Sequence, residues 1–419
     1  MKILFGELWR QPEFLKLWLG QAVSEFGSRI SREGLPLTAV LLLAASPGQM
    51  GLLAAIGSAP VLVIGLLAGV WVDRLYRRPI LIIADLGRAL VLSYVPVAAF
   101  VGILHVEQLY IIAALVGVLT VFFEVADQAF MPVLISREYI LEGNSKRETT
   151  ASLAEIVGPA LTGILVQILT APIAIIIDCL SFVFSAVCLS SIKVIEPKPK
   201  PRVERQSMVR EAKAGLGVIL SNPLLRALTF CSATRSFFGN FLATLYVLYA
   251  IQTLGLTPAV LGVLIGMGGV GALLGSVLAG PIARRFGLGR TMLGSSLLAG
   301  FISFLLPLAG TTIFWPVGCL AISQLLADML MQVYDINTLS LRQQLVPDGL
   351  LGRANATTHF LVGGLGAVGA LVAGVLAENI GVRATIWVSV VGMLLSATWL
   401  IFSPVITNQI TKPDLALQK

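Results

Sequence analysis

Long apolar stretches separated by short polar breaks run through almost the whole chain. A membrane-spanning helix needs about 20 mostly apolar residues. Twelve such segments are legible, at 14–44, 47–73, 79–104, 107–136, 143–169, 172–194, 222–253, 257–283, 289–310, 312–345, 351–379 and 382–405. The pattern predicts an all-α membrane protein whose twelve transmembrane helices form two six-helix repeats. The second half echoes the first at an offset of 211 residues: Pro12 recurs as Pro223, Gly51 as Gly262, Gly69 as Gly280, Arg74 as Arg285, Asn144 as Asn355, Gly158 as Gly369 and Gly163 as Gly374. Gly and Pro mark fixed backbone geometry, so a shared register of this kind points to a duplicated unit. Paired repeats are the architecture of membrane transporters, with the substrate site where the halves meet.

One polar break is longer than the rest. It divides the chain into an N-terminal six-helix bundle (1–195), a cytoplasmic linker (196–221), a C-terminal six-helix bundle (222–405) and a cytoplasmic tail (406–419). Glu196 to Arg202 alternates Pro with basic residues and should be extended, a tether rather than a regulatory element. Arg205 to Leu220 fits a basic amphipathic helix lying on anionic lipid. Links such as Ala45-Ser-Pro-Gly48 leave no room for an external receptor domain.

Composition agrees with the pattern. Of 419 residues, 57% are hydrophobic and 12% charged, against about 25% charged in a typical soluble domain; mean hydropathy is +0.91. The net charge of +7 sits in short loops, so it reports topology rather than nucleic-acid binding. Arg74, Arg77 and Arg78, then Arg137, Lys146 and Arg147, then Lys198 to Lys213, then Arg284, Arg285 and Arg290 share a side with the termini. Only Arg383 lies in a loop on the other side. The positive-inside rule then predicts a multi-pass protein of the inner (plasma) membrane with both termini cytoplasmic. Met1 to Pro12 has no cleavable signal pattern. Cys179, Cys188, Cys231 and Cys319 lie inside spans without metal or disulfide spacing and read as small core residues. No Walker A loop, GxSxG or HExxH is present, so an enzyme is not expected, nor a cofactor or metal.

Between the second and third spans stands Gly69-x-x-x-Asp73-Arg74-x-x-Arg77-Arg78. Here the sequence resembles the major facilitator superfamily, whose loop motif has a Gly, then Asp-Arg, then a basic pair. Leu17-Trp-Leu-Gly-Gln21, Ala84-Asp-Leu-Gly-Arg88, Gly158-Pro-Ala-Leu-Thr-Gly163 and Asp178-Cys-Leu-Ser-Phe182 are similar to the branch of enterobactin exporters and macrolide-efflux proteins. The motif reads as a latch. Gly69 allows close packing, Asp73 caps a helix N-terminus in the other half, and Arg74 and Arg77 reach an acid on the fourth span, Glu124 or Asp127. The alternative is plain topological anchoring by the arginines. The family usually has Gly at the place of Tyr76, and the second copy has Arg284 where the first has Asp73. In the fifth span Gly158, Pro159 and Gly163 resemble an exporter motif that loosens the helix and offers a flat face. The Gly266, Gly268, Gly269, Gly271 and Gly275 face of the eighth span is its expected partner.

Charges inside spans are expensive and mark function or internal pairing. The first span carries Glu25, Arg29, Arg32 and Glu33 with Gln21. Glu25, Arg29 and Glu33 are four apart and share a face. Either Arg29 and Arg32 attract an anionic or oxygen-rich substrate while Glu25 or Glu33 exchanges protons, or the group is a self-satisfied ladder. Glu124 and Asp335, related by the offset, suggest gate pairing, with Asp127 one turn on. Asp328 is placed to neutralise Arg235; Asp85 and Arg88 should pair; Glu155, Asp178 and His359 are further candidates for proton exchange. The resemblance implies a secondary exporter of a siderophore, macrolide or similar amphipathic compound, driven by proton antiport, acting in the bilayer as a monomer, with antibiotic resistance a possible consequence. Proton-coupled import of an anionic metabolite, a lipid flippase and a non-transporting sensor are the alternatives.

Overall fold

The computed structural model describes residues 7–72, 74–194, 196, 208–310 and 314–403. Among them regular structure is helical throughout: α1 (Pro12–Leu41), α2 (Pro47–Val72), α3 (Arg77–Val101), α4 (Val106–Leu134), α5 (Ile140–Leu169), α6 (Ala171–Ser190), α7 (Met208–Ser221), α8 (Pro223–Leu248), α9 (Pro258–Phe286), α10 (Leu288–Ser303), α11 (Leu305–Leu308), α12 (Phe314–Leu345), α13 (Asp348–Ile380), α14 (Val382–Ser396) and α15 (Thr398–Ile401). Ten described spans are long and apolar enough to cross a bilayer, with α10–α11 and α14–α15 each counting as one, Leu288–Leu308 and Val382–Ile401. α8 qualifies only together with the end of α7, from which it turns by 108°. α1 is long enough but carries Lys16, Glu25, Arg29, Arg32 and Glu33 along its length.

The chain divides into two compact units, Met1–Val203 with Leu256–Gly266, and Glu204–Gly255 with Met267–Lys419. The internal repeat has a local counterpart in each. Pro12 and Pro223 both stand in the first turn of a helix, where the missing N–H costs nothing. At the second, the Asn222 side chain accepts from the Leu224 and Leu225 amides at 2.9 and 3.3 Å. The helix so started packs on the same two partners each time: α1 on α5 and α6, α8 on α13 and α14.

Close approach of α1 to α6 rests on three glycines spaced by seven. Two turns apart, they share one face. A Cβ at Gly20 would lie 3.0 Å from Cys188 Cβ, at Gly27 2.1 Å from Ser181 Oγ, and at Gly34 3.2 Å from Ile175 Cγ1. Behind this seam a core of Leu17, Leu81, Phe123, Phe130 and Leu189 joins α1, α3, α4 and α6.

The stretch read as a lipid-surface helix does form one, α7, but its apolar side meets protein. Val218 packs with Leu225, Val346 and Ala354. A Cβ at Gly215 would come within 2.6 Å of the Arg353 carbonyl oxygen and 2.2 Å of Thr357 Oγ1 on α13. Apolar side chains and a bare glycine give a better fit to a neighbouring helix than to a headgroup layer. The Pro-rich segment before it, and Asp73, lie outside the described residues.

Candidate functional site

A polar cavity of about 290 Å³ lies between α1, α4 and α5 in the first unit. Trp18 and Phe123 supply apolar wall; Gln21, Glu25, Asp127, Gln128, Asn144, Arg147 and Glu148 supply hydrogen-bonding groups. Asp127, only 2% exposed, accepts from Gln21 Nε2 through Oδ1 and from Arg147 Nη2 through Oδ2. The expected partners, Arg74 and Arg77, are therefore not the groups that satisfy it. Arg147, read in the sequence as a loop charge, belongs to the cavity because α5 begins at Ile140 and carries it inward.

Above the cavity on α1 the predicted charge ladder is only half formed. Arg29 Nη2 donates to Glu25 Oε1 at 3.2 Å, one turn back, while Nη1 lies 3.6 Å from Glu155 Oε1 on α5. Arg29 thus turns toward Glu155, away from Glu33. Its stem crosses Gly158, where an added Cβ would sit 2.7 Å from Arg29 Cβ and 2.8 Å from Cγ. Gly158 faces α1, and the contact with the eighth span falls to Gly163, as expected of it. Its Cβ would be 2.2 Å from the Pro258 carbonyl oxygen, and Gly262 and Gly266 similarly abut the carbonyls of Pro159 and Ile156. Gly268, Gly271 and Gly275, expected on the same face, instead approach Asp328, Leu325 and Met329 of α12. The reason is helical period: at about 100° per residue, Gly268, Gly271 and Gly275 lie on the side of α9 opposite Gly262 and Gly266.

In the second unit Arg235 does not pair with Asp328. Its Nη2 donates to Asp335 Oδ1 at 2.5 Å and its guanidinium carbon stands 5.0 Å from the Tyr334 ring centre. Asp328 accepts instead from Gln324 Nε2 at 2.7 Å, one turn away. Glu124 and Asp335 are both exposed, at equivalent places in the two units.

The described part of the loop motif is anchored within the first unit. Glu196 accepts from the Arg77 and Arg78 amides at 2.7 and 2.9 Å, capping α3 with a carboxylate at its positive end. Arg78 Nε donates to the Leu189 carbonyl at 2.8 Å, and its Nη2 to that of Ser190, closing the C-terminus of α6. Arg74 is exposed, and among the described residues a Cβ at Gly69 would meet nothing within 4 Å, so Gly69 marks no close packing there. Tyr76 has φ −68° and ψ 133°, which any residue adopts; a glycine is not needed. Glu13 completes the tie: its Oε1 accepts from Lys16 Nζ at 2.9 Å and its Oε2 from the Lys193 amide at 2.7 Å, while Lys16 also donates to the Ser191 carbonyl at 3.0 Å. The Lys16 ammonium, then the Lys193 amide, hold the Glu13 carboxyl below the usual carboxylate range.

As the spacing predicts, Asp85 and Arg88 on α3 form an ion pair, 0% and 4% exposed, with the guanidinium carbon 4.3 and 4.2 Å from the ring centres of Phe123 and Phe182. Asp178 on α6, equally buried, accepts from Ser181 Oγ at 3.0 Å. His359 is exposed on α13.

Ten described spans long and apolar enough to cross a bilayer, in two compact units, mark a polytopic α-helical membrane protein. The family model of the Major Facilitator Superfamily matches residues 17–368 and 228–414, and the chain belongs to that superfamily, with its fold of about twelve helices. Similar proteins include macrolide efflux protein A of Streptococcus pyogenes, 27% identical over 96% of this chain and 98% of that one. The multidrug efflux pump Tap of Mycolicibacterium fortuitum is 27% identical over 83% and 85%. Among solved structures, a nucleoside transporter, NupG, superposes with TM-score 0.73 at 14% identity over 94% of this chain and 99% of that one. A bacterial homologue of the iron transporter ferroportin in its inward-facing state gives 0.70 at 19% over 93% and 98%. These two describe the fold alone.

Proposed function

We propose that the protein is a secondary exporter of amphipathic small molecules of the macrolide kind, working by alternating access in the plasma membrane with both termini in the cytoplasm. The observation that carries this reading is the full-length similarity to a macrolide efflux protein. Siderophores of similar polarity remain within the same class of cargo. The cavity between α1, α4 and α5 supports the reading, since Trp18 and Phe123 can hold an apolar ring while Gln21, Glu25 and Glu148 meet polar substituents. Arg29, seated on Gly158 and held by Glu25 and Glu155, keeps a charged group beside that cavity. Proton antiport is the proposed drive, because carboxylates inside spans are groups where proton and cargo can compete.

The test is erythromycin accumulation in a macrolide-sensitive bacterial host lacking its own pumps. Expression should lower steady-state accumulation several-fold, and Arg29→Ala should remove most of that effect at equal protein level. Accumulation equal to that of the empty host would refute macrolide export.

A further inference from the structure

A second charged cluster lies behind the Phe123 wall of the cavity, on α3 and α6. Asp85 and Asp178 are both fully buried and Arg88 is 4% exposed. Asp178 and Arg88 are electrostatic neighbours, and Arg88 has one direct carboxylate partner, Asp85. The Oδ2 atoms of both aspartates are buried with no donor in hydrogen-bonding geometry. Two hydroxyls point at them: Ser185, 0% exposed, beside Asp85, and Ser31 of α1 beside Asp178, each without a hydrogen bond in good geometry. Further ionisable neighbours are Glu124 and Asp127 on α4 and Cys179 on α6; Asp127 has its own cation, Arg147, and Glu124 faces Arg32 of α1 as well as Arg88.

Charge counting then decides. Two carboxylates and one guanidinium leave one negative charge uncompensated inside the bilayer, where an unpaired charge is costly. Phe123 and Phe182 cover both faces of the guanidinium, so no further anion or solvent reaches it from there. Among the described residues no group of three or more His, Cys, Asp and Glu could hold a metal ion. We propose that the Asp85–Arg88–Asp178 cluster is a proton-binding site that takes one proton onto an aspartate oxygen and releases it to water during the working cycle. No bond other than O–H forms or breaks. As the site of the driving proton it rests on the antiport reading above; as a proton site it stands without it.

The experiment is infrared difference spectroscopy of the purified full-length protein in lipid nanodiscs, titrated between acid and alkaline buffer without cargo. The wild type should show a buried carboxylic C=O band that is lost as pH rises. Asp178→Asn should abolish it, and Asp85→Asn should abolish it too, because either substitution leaves one carboxylate for one guanidinium. Asp85→Asn keeps the test usable should Asp178→Asn fold poorly. A wild type with no titrating band, a band that survives both substitutions, or one that sodium removes at constant pH would overturn the proposal. A band that behaves as predicted in a protein whose erythromycin transport ignores the proton gradient would instead refute the antiport reading and leave the site intact.

Discussion

Gly27 shows how much a single residue can settle. With a Cβ there, the nearest atoms would be Ser181 Oγ at 2.1 Å, Ser181 Cβ at 2.6 Å and Asp178 Oδ1 at 2.7 Å, so α1 and α6 would have to part. Overpacking of this kind costs about 1–3 kcal/mol, and Gly27→Ala should lower the unfolding temperature in detergent accordingly. Ser181→Ala in the same chain should recover part of the loss; no recovery would mean that the backbone, not the hydroxyl, sets the spacing. Arg29 makes the opposite case. Its partners Glu25 and Glu155 are 40% and 60% exposed, so the ion pairs are worth little to stability. Arg29→Ala is therefore expected to leave the yield of folded protein nearly unchanged while removing most export. Severe loss of folded protein would make Arg29 a structural tie.

At the scale of elements, Ser191 and Lys193 tie the end of α6 to α1 through Lys16 and Glu13, and Glu196 ties to α3. Glu196→Gln should speed deuterium exchange at the Arg77 and Arg78 amides without altering exchange in the middle of α3. The Glu13 tie has a defined pH dependence. A carboxyl held below its ordinary value contributes stability that is full above that ordinary value and is lost as pH falls through the lowered one. Protection of the Lys193 amide, corrected for intrinsic rates, should thus persist at neutral pH and disappear in acid; protection unchanged in Glu13→Gln would dismiss the tie. Elements were also where the sequence was most legible. Apolar length located the spans, because lipid leaves the backbone no other choice than helix. Partner choice was not legible: Asp127 with Arg147, Asp335 with Arg235 and Glu196 with α3 join positions up to 119 residues apart. Spacing within one helix found Asp85–Arg88 and Glu25–Arg29 because those pairs are local. The seven-residue spacing of Gly20, Gly27 and Gly34 was the one signal in the sequence that could have placed α6, and with it Asp178, against α1.

For the whole molecule, the superfamily and the efflux relatives support an efflux transporter, and the central claim we propose on that basis is that a proton gradient drives the export. Inside-out membrane vesicles containing the protein test it directly, with the lumen acidified, labelled erythromycin outside and a pH-sensitive dye within. The account predicts erythromycin accumulation well above that of vesicles lacking the protein, accompanied by cargo-dependent alkalinisation of the lumen, and both lost when an ionophore collapses the gradient. Accumulation that survives collapse of the gradient, or gradient-driven proton efflux that erythromycin leaves unchanged, would contradict it.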